Sequence, residues 1–275
     1  MRYLMLLLFL GDFLPLNVLS QENADYTVFY TFQYVKDTIA DSYSVPHQYI
    51  LFGSQDTSFF YNYTQYQFDS IGRDFEERVG PAKDNLQLFE KVVLSQRFEL
   101  LSELRVLKDF YNQHVFIVFP ELGQSKFMQE PINLRWTLVS GIENVRGMAC
   151  QRAETSYGGR EYVAWFTDSI PIADGPYVFS GLPGLILKVE DKENWFRFEI
   201  SQIIIKKQKR LRMPGFINQH VNHLMTRDEY VKQIREKKTN PKYPPGVLNI
   251  TPEMKLRMQD NYKKRFDLLL EREIP

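Results

Sequence analysis

Cysteine and histidine, the side chains that most often act as catalytic nucleophile and base, are rare in this sequence. Cys150 is the single cysteine, and the chain has four histidines. A thiol beside a histidine base can act as a nucleophile, so Cys150 is the candidate for a hydrolase or another thiol-dependent enzyme. Met148 and Ala149 place it inside a predicted strand, however, not at a helix start that would lower its pKa. We therefore favour a buried structural cysteine and assign no catalytic residue.

The sequence lacks the motifs of several enzyme classes. It contains no glycine-rich phosphate-binding loop, no serine-hydrolase elbow and no HExxH zinc motif. His220 and His223 have the spacing of one helical face, but their basic surroundings offer few acidic ligands. We expect no metal ion and no other cofactor. The 34 basic and 34 acidic residues cancel, so nucleic acid is not an expected partner.

Residues 1–20 have the pattern of a secretory signal peptide. Arg2 precedes the apolar run Tyr3–Leu10, which is shorter than the roughly 20 residues that a membrane-spanning helix needs. Val18 and Ser20 are small enough for a cleavage site. No cysteine follows for a lipid anchor, and no later stretch is apolar enough to span a membrane. We expect an exported protein, periplasmic or secreted.

The elements that position these residues are predicted to be mainly strands. Aromatic residues make up 15% of the chain, which favours a β-rich fold. Aromatic and β-branched runs such as 26–35, 115–119 and 161–166 alternate with turn residues, and they predict an antiparallel domain over residues 21–205. Between residues 84 and 108 apolar side chains recur near the helical period, which predicts one or more helices there.

Residues 168–184 combine three prolines and three glycines with many apolar side chains. Such a segment cannot continue a strand, and its apolar side chains need a cover. The expected fold is therefore mainly β with some α, a curved antiparallel sheet or half-barrel closed by this Pro/Gly-rich loop. Alternatively the loop borders a ligand pocket, for which the candidate binding residues are Trp136, Trp165, Tyr177 and Phe179.

The end of this loop carries a recognisable motif. It consists of Gly181, Leu182, Pro183, Gly184, Leu185 and Ile186. With these residues, and with Trp136, Cys150 and Trp165 in the same order, the chain resembles the GLPGLI family of exported Bacteroidetes proteins. The resemblance covers roughly residues 26–205. The family has no established activity, so the resemblance implies export and a fold but no reaction.

Residues 206–275 form a predicted basic helical extension, with 17 basic and 8 acidic residues. Thr226 and Glu229 have the spacing of a capping box before a helix that is expected to end near Lys238. A second helix is predicted after Thr251, with an apolar stripe over residues 254–270. That stripe is expected to dock on the protein itself or, alternatively, on a partner protein or a membrane surface.

Three functions remain open from the sequence. The leading hypothesis is non-catalytic binding of an apolar ligand, lipid or peptide in the cell envelope, since a concave aromatic sheet with a cover suits such a ligand. The first alternative is an envelope enzyme that uses Cys150. The second is a protein-interaction module that acts through the C-terminal helix.

Overall fold

The computed structural model describes residues 24–37, 42–67, 70, 105–119, 126–205 and 224–239. The strands in chain order are β1 (Tyr26–Asp37), β2 (Ser42–Tyr43), β3 (His47–Gly53), β4 (Thr57–Asn62), β5 (Arg105–Asp109), β6 (His114–Phe119), β7 (Lys126–Pro131), β8 (Thr137–Val145), β9 (Met148–Tyr157), β10 (Arg160–Thr167), β11 (Leu185–Asp191), β12 (Phe196–Ile204) and β13 (Leu224–Met225). Residues 63–67 are helical, and helix α1 spans Arg227–Thr239.

All thirteen strands belong to one sheet, which confirms the mainly β prediction. Its order is β13-β7-β6-β5-β4-β3-β1-β12-β11-β10-β9-β8, with β2 paired to β1 beside this path. The short β13 pairs with β7 in parallel, and the other described pairs are antiparallel. The two terminal strands do not pair with each other, so the sheet is not closed into a barrel.

The helical prediction for residues 84–108 is wrong at its end. Arg105–Asp109 forms strand β5, in register with β4 and β6. Val106 and Leu107 are both buried, and they belong to different core clusters. Because a strand presents successive side chains to opposite faces, both neighbours can be buried at once. Residues 84–104 lie outside the described part of the chain.

Side-chain contacts bring distant parts of the sheet together. Eight strands lie between β7 and β9 in the strand order. The Tyr157 hydroxyl at the end of β9 nevertheless donates to Glu130 of β7 at 3.1 Å. Arg227 of α1 pairs with the same Glu130 carboxylate at 2.7 Å and lies over the Tyr157 ring at 4.4 Å. The sheet therefore bends back on itself, and this contact joins its two halves.

The core is divided between the two faces of the sheet. The larger cluster includes Tyr30, Phe60 and Phe198, together with the apolar residues of the loop 168–184. The smaller cluster lies on the other side of β3, β4 and β5. Its buried members are Ala24, Ile50, Phe52, Phe59, Tyr61 and Leu107. Side chains of the central strands alternate between the two faces of the sheet, so a core cluster forms on each face.

Helix α1 begins as the sequence predicts. The Thr226 amide donates to the Glu229 carboxylate at 2.8 Å, and the Glu229 amide donates to the Thr226 hydroxyl at 3.3 Å. This capping box satisfies two amides that a helix start leaves unpaired. Tyr230 packs into the larger core cluster. His220, His223 and the second predicted helix lie outside the described residues.

Among the described helices, none is both long enough and apolar enough to cross a membrane.

Candidate functional site

The loop 168–184 connects β10 to β11 and packs into the protein, as predicted. It contains no regular element, and its backbone makes several hydrogen bonds within the loop, such as that from the Gly181 amide to the Ala173 carbonyl at 3.0 Å. Tyr177 and Phe179 are 0% exposed, and Leu182 is 2% exposed. The loop thus contributes its own side chains to the larger core cluster.

Three of the four candidate ligand-binding residues lie together. The Phe179 ring lies 6.0 Å from the Tyr177 ring and 6.2 Å from the Trp136 ring. Tyr162 meets Phe179 edge-on at 4.8 Å, and Tyr157 meets Tyr177 at 5.9 Å. The Trp136 indole also donates to the Ser180 carbonyl at 2.8 Å. These rings pack on one another, so they hold the loop on the sheet.

The fourth candidate residue, Trp165, lies elsewhere. Its side chain is partly buried on β10, and its cross-strand neighbours are Arg152 on β9 and Lys188 on β11. The Arg152 guanidinium lies 5.8 Å from the centre of the Trp165 ring. The ring also packs against the larger core cluster, so Trp165 lies between that core and the charged side chains of Arg152 and Lys188.

The loop is also held by a buried polar group consisting of Lys108, Asp174 and Tyr26. The Lys108 ammonium forms an ion pair with the Asp174 carboxylate, and the two side chains are 0% and 2% exposed. Lys108 Nζ also donates to the Gly175 carbonyl at 2.6 Å and to the Phe179 carbonyl at 3.3 Å. The Tyr26 hydroxyl donates to Asp174 Oδ2 at 2.7 Å. One cluster thus joins β1, β5 and the loop.

Burial dominates the electrostatics of this cluster. Loss of water around Lys108 lowers its pKa, and the neighbouring Asp174 carboxylate opposes that shift. Burial raises the pKa of Tyr26 well above its usual value, and the charge of Asp174 adds to the shift. The Tyr26 phenol therefore remains protonated and available as a donor to Asp174.

The loop ends at Gly184, where the backbone approaches its neighbour closely. Gly184 has φ +154°, and a Cβ atom there would lie 2.1 Å from the Thr167 carbonyl oxygen. Only glycine fits this approach. The other motif residues Leu185 and Ile186 begin β11 and are fully buried. These positions of the motif thus carry structural roles.

Cys150 is fully buried on β9, and its thiol donates weakly to the Met148 carbonyl at 3.5 Å. Burial raises the pKa of this thiol, which keeps it protonated. A nucleophilic cysteine needs the opposite, an accessible site that favours the thiolate. The geometry therefore fits the structural interpretation of Cys150.

Of the described residues between 126 and 239, the most exposed large apolar side chains lie on strand β8. This strand is the last in the strand order, and it pairs with β9 on one side. Leu138 is 61% exposed and Ile142 is 80% exposed. Trp136, half-buried, directly precedes the strand. The register shifts between Val139 and Ile142, which divides the strand into two short segments.

Sequence reasoning missed Lys108 and the exposed edge of β8. Lys108 was included in the predicted helix, where a lysine belongs on the solvent side. Asp174 lies 66 positions from Lys108, so no local pattern links the two residues. The only available signal was a lysine between the apolar Leu107 and a turn, in a short run that also fits a strand.

Residues 135–188 match a family model described as a protein of unknown function (Porph_ging). The matched segment contains Trp136, Cys150, Trp165 and the GLPGLI motif, so the match is consistent with a family of the GLPGLI type. The family is uncharacterised. No curated protein matches the chain.

Two solved structures of PNGF-II resemble this fold weakly. The structure in space group P21 has a TM-score of 0.45 and 13% identity, and the matched region covers 78% of this chain and 33% of the chain in that structure. The structure in space group C2 has a TM-score of 0.46 and 12% identity, and the matched region covers 84% of this chain and 36% of the chain in that structure. The chain thus spans about a third of the length of these structures, and the likeness supports no conclusion about activity.

Proposed function

We propose that the chain is an exported, non-catalytic binding protein that takes up an extended peptide segment as an additional strand along β8. The observation that carries the proposal is the exposure of Leu138 and Ile142 on a terminal strand. Natural sheets usually protect such an edge with charges or a cover. A strand added at an edge gains main-chain hydrogen bonds, and its alternate side chains meet the apolar residues of the edge.

The chemistry of the edge suggests which peptide it takes. Leu138, Ile142 and the half-buried Trp136 favour a segment with apolar side chains. The one carboxylate on the strand, Glu143, is paired with Lys188 at 3.1 Å, so the edge does not select strongly for charge. The register shift after Val139 limits continuous pairing, so the bound segment is expected to be short.

The other hypotheses receive less support. A small apolar ligand or a lipid under the loop would have to displace Tyr177 and Phe179, which are buried among other aromatic rings. A thiol-dependent enzyme would need an accessible Cys150 with a lowered pKa, and burial raises that pKa. The apolar stripe of residues 254–270 lies outside the described residues.

Peptide display on the immobilised protein tests the proposal. We expect enriched sequences with alternating apolar side chains, and we expect Ile142→Lys to abolish their binding. Tyr111→Lys is the matched control, because Tyr111 is 78% exposed on the β5–β6 turn, away from the edge. Slower amide exchange in β8 on peptide addition would locate the site. Binding that survives Ile142→Lys and leaves exchange in β8 unchanged would refute the proposal.

Export is tested separately. N-terminal sequencing of the protein recovered from its host should begin after residue 20. A chain that retains Met1 and stays with the cytoplasmic fraction would contradict this part of the proposal without affecting peptide binding.

A further inference from the structure

We propose that Lys108 and Asp174 condense spontaneously into an intramolecular amide, which bonds the loop 168–184 covalently to strand β5. This inference is independent of the proposed peptide binding. It concerns a modification within the core and rests on how the groups around the Lys108 amine and the Asp174 carboxyl are arranged.

The first requirement is a nucleophilic amine. Lys108 is completely buried, and loss of water lowers its pKa. The neutral amine therefore forms more readily here than at a surface. A neutral amine has two N–H groups and one lone pair. The carbonyls of Gly175 and Phe179 accept from Lys108 Nζ at 2.6 Å and 3.3 Å. The third N–H of the ammonium donates to Asp174 Oδ1, so transfer of that proton to the carboxylate leaves the amine lone pair facing Asp174.

The second requirement is an activated carboxyl group. The Gly175 amide donates to Asp174 Oδ1 at 2.8 Å, where negative charge develops when Nζ attacks Cγ. The Tyr26 hydroxyl donates to Asp174 Oδ2 at 2.7 Å. Burial raises the pKa of Tyr26, so this phenol carries its proton at the leaving oxygen. Each carboxyl oxygen therefore has its own donor.

The step is balanced without a co-reactant. Transfer of the shared proton from Lys108 Nζ to Asp174 Oδ1 converts the ion pair into the neutral amine and the carboxylic acid that react. The Nζ–Cγ bond forms and the Cγ–Oδ2 bond breaks. Oδ2 leaves as water after it receives the acid proton and one amine proton, which the Tyr26 hydroxyl can relay. Oδ1 becomes the amide oxygen. The remaining Nζ–H continues to donate to the Gly175 carbonyl.

The placement of the two groups favours the reaction. Both are held in contact by the surrounding core, which converts condensation into an intramolecular step. The released water leaves the buried site when the loop opens transiently, and a water for the reverse reaction would have to enter by the same route. The loop is held by the aromatic group around Phe179 as well, so the reverse reaction is opposed by the same packing.

Intact-mass spectrometry of the denatured full chain tests the inference. We expect a mass one water below that of the polypeptide found by N-terminal sequencing, for essentially the whole population. Trypsin should fail to cut after Lys108, and a branched peptide joining the Lys108 and Asp174 segments should appear. Lys108→Arg should restore the full mass. In Tyr26→Phe we expect an uncondensed fraction to accumulate, because the donor at the leaving oxygen is gone.

The same digest contains an internal control. Arg160 and Asp191 form another buried pair, at 3.0 Å and with exposures of 2% and 1%, but a guanidinium does not condense. The tryptic peptides that contain Arg160 and Asp191 should therefore have unmodified masses. Full mass in the wild-type chain, with normal cleavage after Lys108, would show that the pair is only ionic and would overturn the inference. This holds even if the Lys108→Arg variant fails to fold, because the decisive measurement is made on the wild type.

Discussion

Replacing Gly184 by alanine should destabilise the protein much more than replacing Gly181, although both belong to the same motif. Both have positive φ, +154° and +89°, so either alanine forces the backbone into a disfavoured region. That strain costs about 1–3 kcal/mol. The added Cβ differs in its surroundings: at Gly181 it meets nothing within 4 Å, whereas at Gly184 it would lie 2.1 Å from the Thr167 carbonyl oxygen.

The contact at Gly184 is with backbone, which no side-chain rotation can relieve. Overpacking of this kind adds about 1–3 kcal/mol, so the total for Gly184→Ala is roughly 2–6 kcal/mol against about 1–3 kcal/mol for Gly181→Ala. Because urea slopes are about 1–3 kcal/mol per molar, the two unfolding midpoints should differ on the order of 1 M. Urea titration followed by aromatic fluorescence measures both. Equal midpoints would show that the close approach at Gly184 has no energetic consequence.

Three further outcomes are expected. Phe179→Ala should lower the free energy of unfolding by about 3–5 kcal/mol, and the exposed control Tyr111→Ala by about 0.5 kcal/mol or less; urea titration that finds equal losses would contradict the packing of the loop. Burial raises the pKa of Tyr30 and Tyr49, so these phenols keep their protons above about pH 10 while unfolded tyrosines lose theirs. Stability should therefore fall as the pH rises beyond that value, and a tyrosinate absorbance that reached the value for all 16 tyrosines before unfolding would argue against it. Cys150 should resist thiol reagents in the native protein and react on unfolding, and rapid native labelling would reopen the enzyme hypothesis.

The class of fold and the position of the loop could be predicted because their signals are local. The prolines and glycines of residues 168–184 exclude a regular element wherever the chain places them. Likewise, Thr226 and Glu229 form their capping box through contacts three residues apart. Such patterns depend little on the rest of the fold.

The polar cluster could not be predicted because its members are distant in sequence. Tyr26 and Asp174 are separated by 148 positions, and neither residue carries a local sign of the other. The run at Lys108 has mixed periodicity, and neither a helical nor a strand pattern there indicates that Lys108 is buried. The correct assignment required the strand order, which brings β1, β5 and the loop to one side of the sheet.

The candidate ligand residues share an aromatic side chain, and residue type alone does not separate core residues from surface residues. Tyr177 and Phe179 are core residues, while Trp165 packs beneath Arg152. Exposure at the edge of β8 depends on which strand is last in the sheet, and single-strand patterns do not contain that information.

The position of β1 has a consequence for assembly. It lies between β3 and β12, and Thr27 is paired with Ile204, which is adjacent in the sheet but far along the chain. One side of β1 therefore stays without its neighbour until β12 has been synthesised. Pairings of such long sequence separation close slowly, because the loop entropy is lost before the contacts form. The newly made chain should accordingly remain loosely organised until about residue 200 has emerged, and only then gain its final cooperativity.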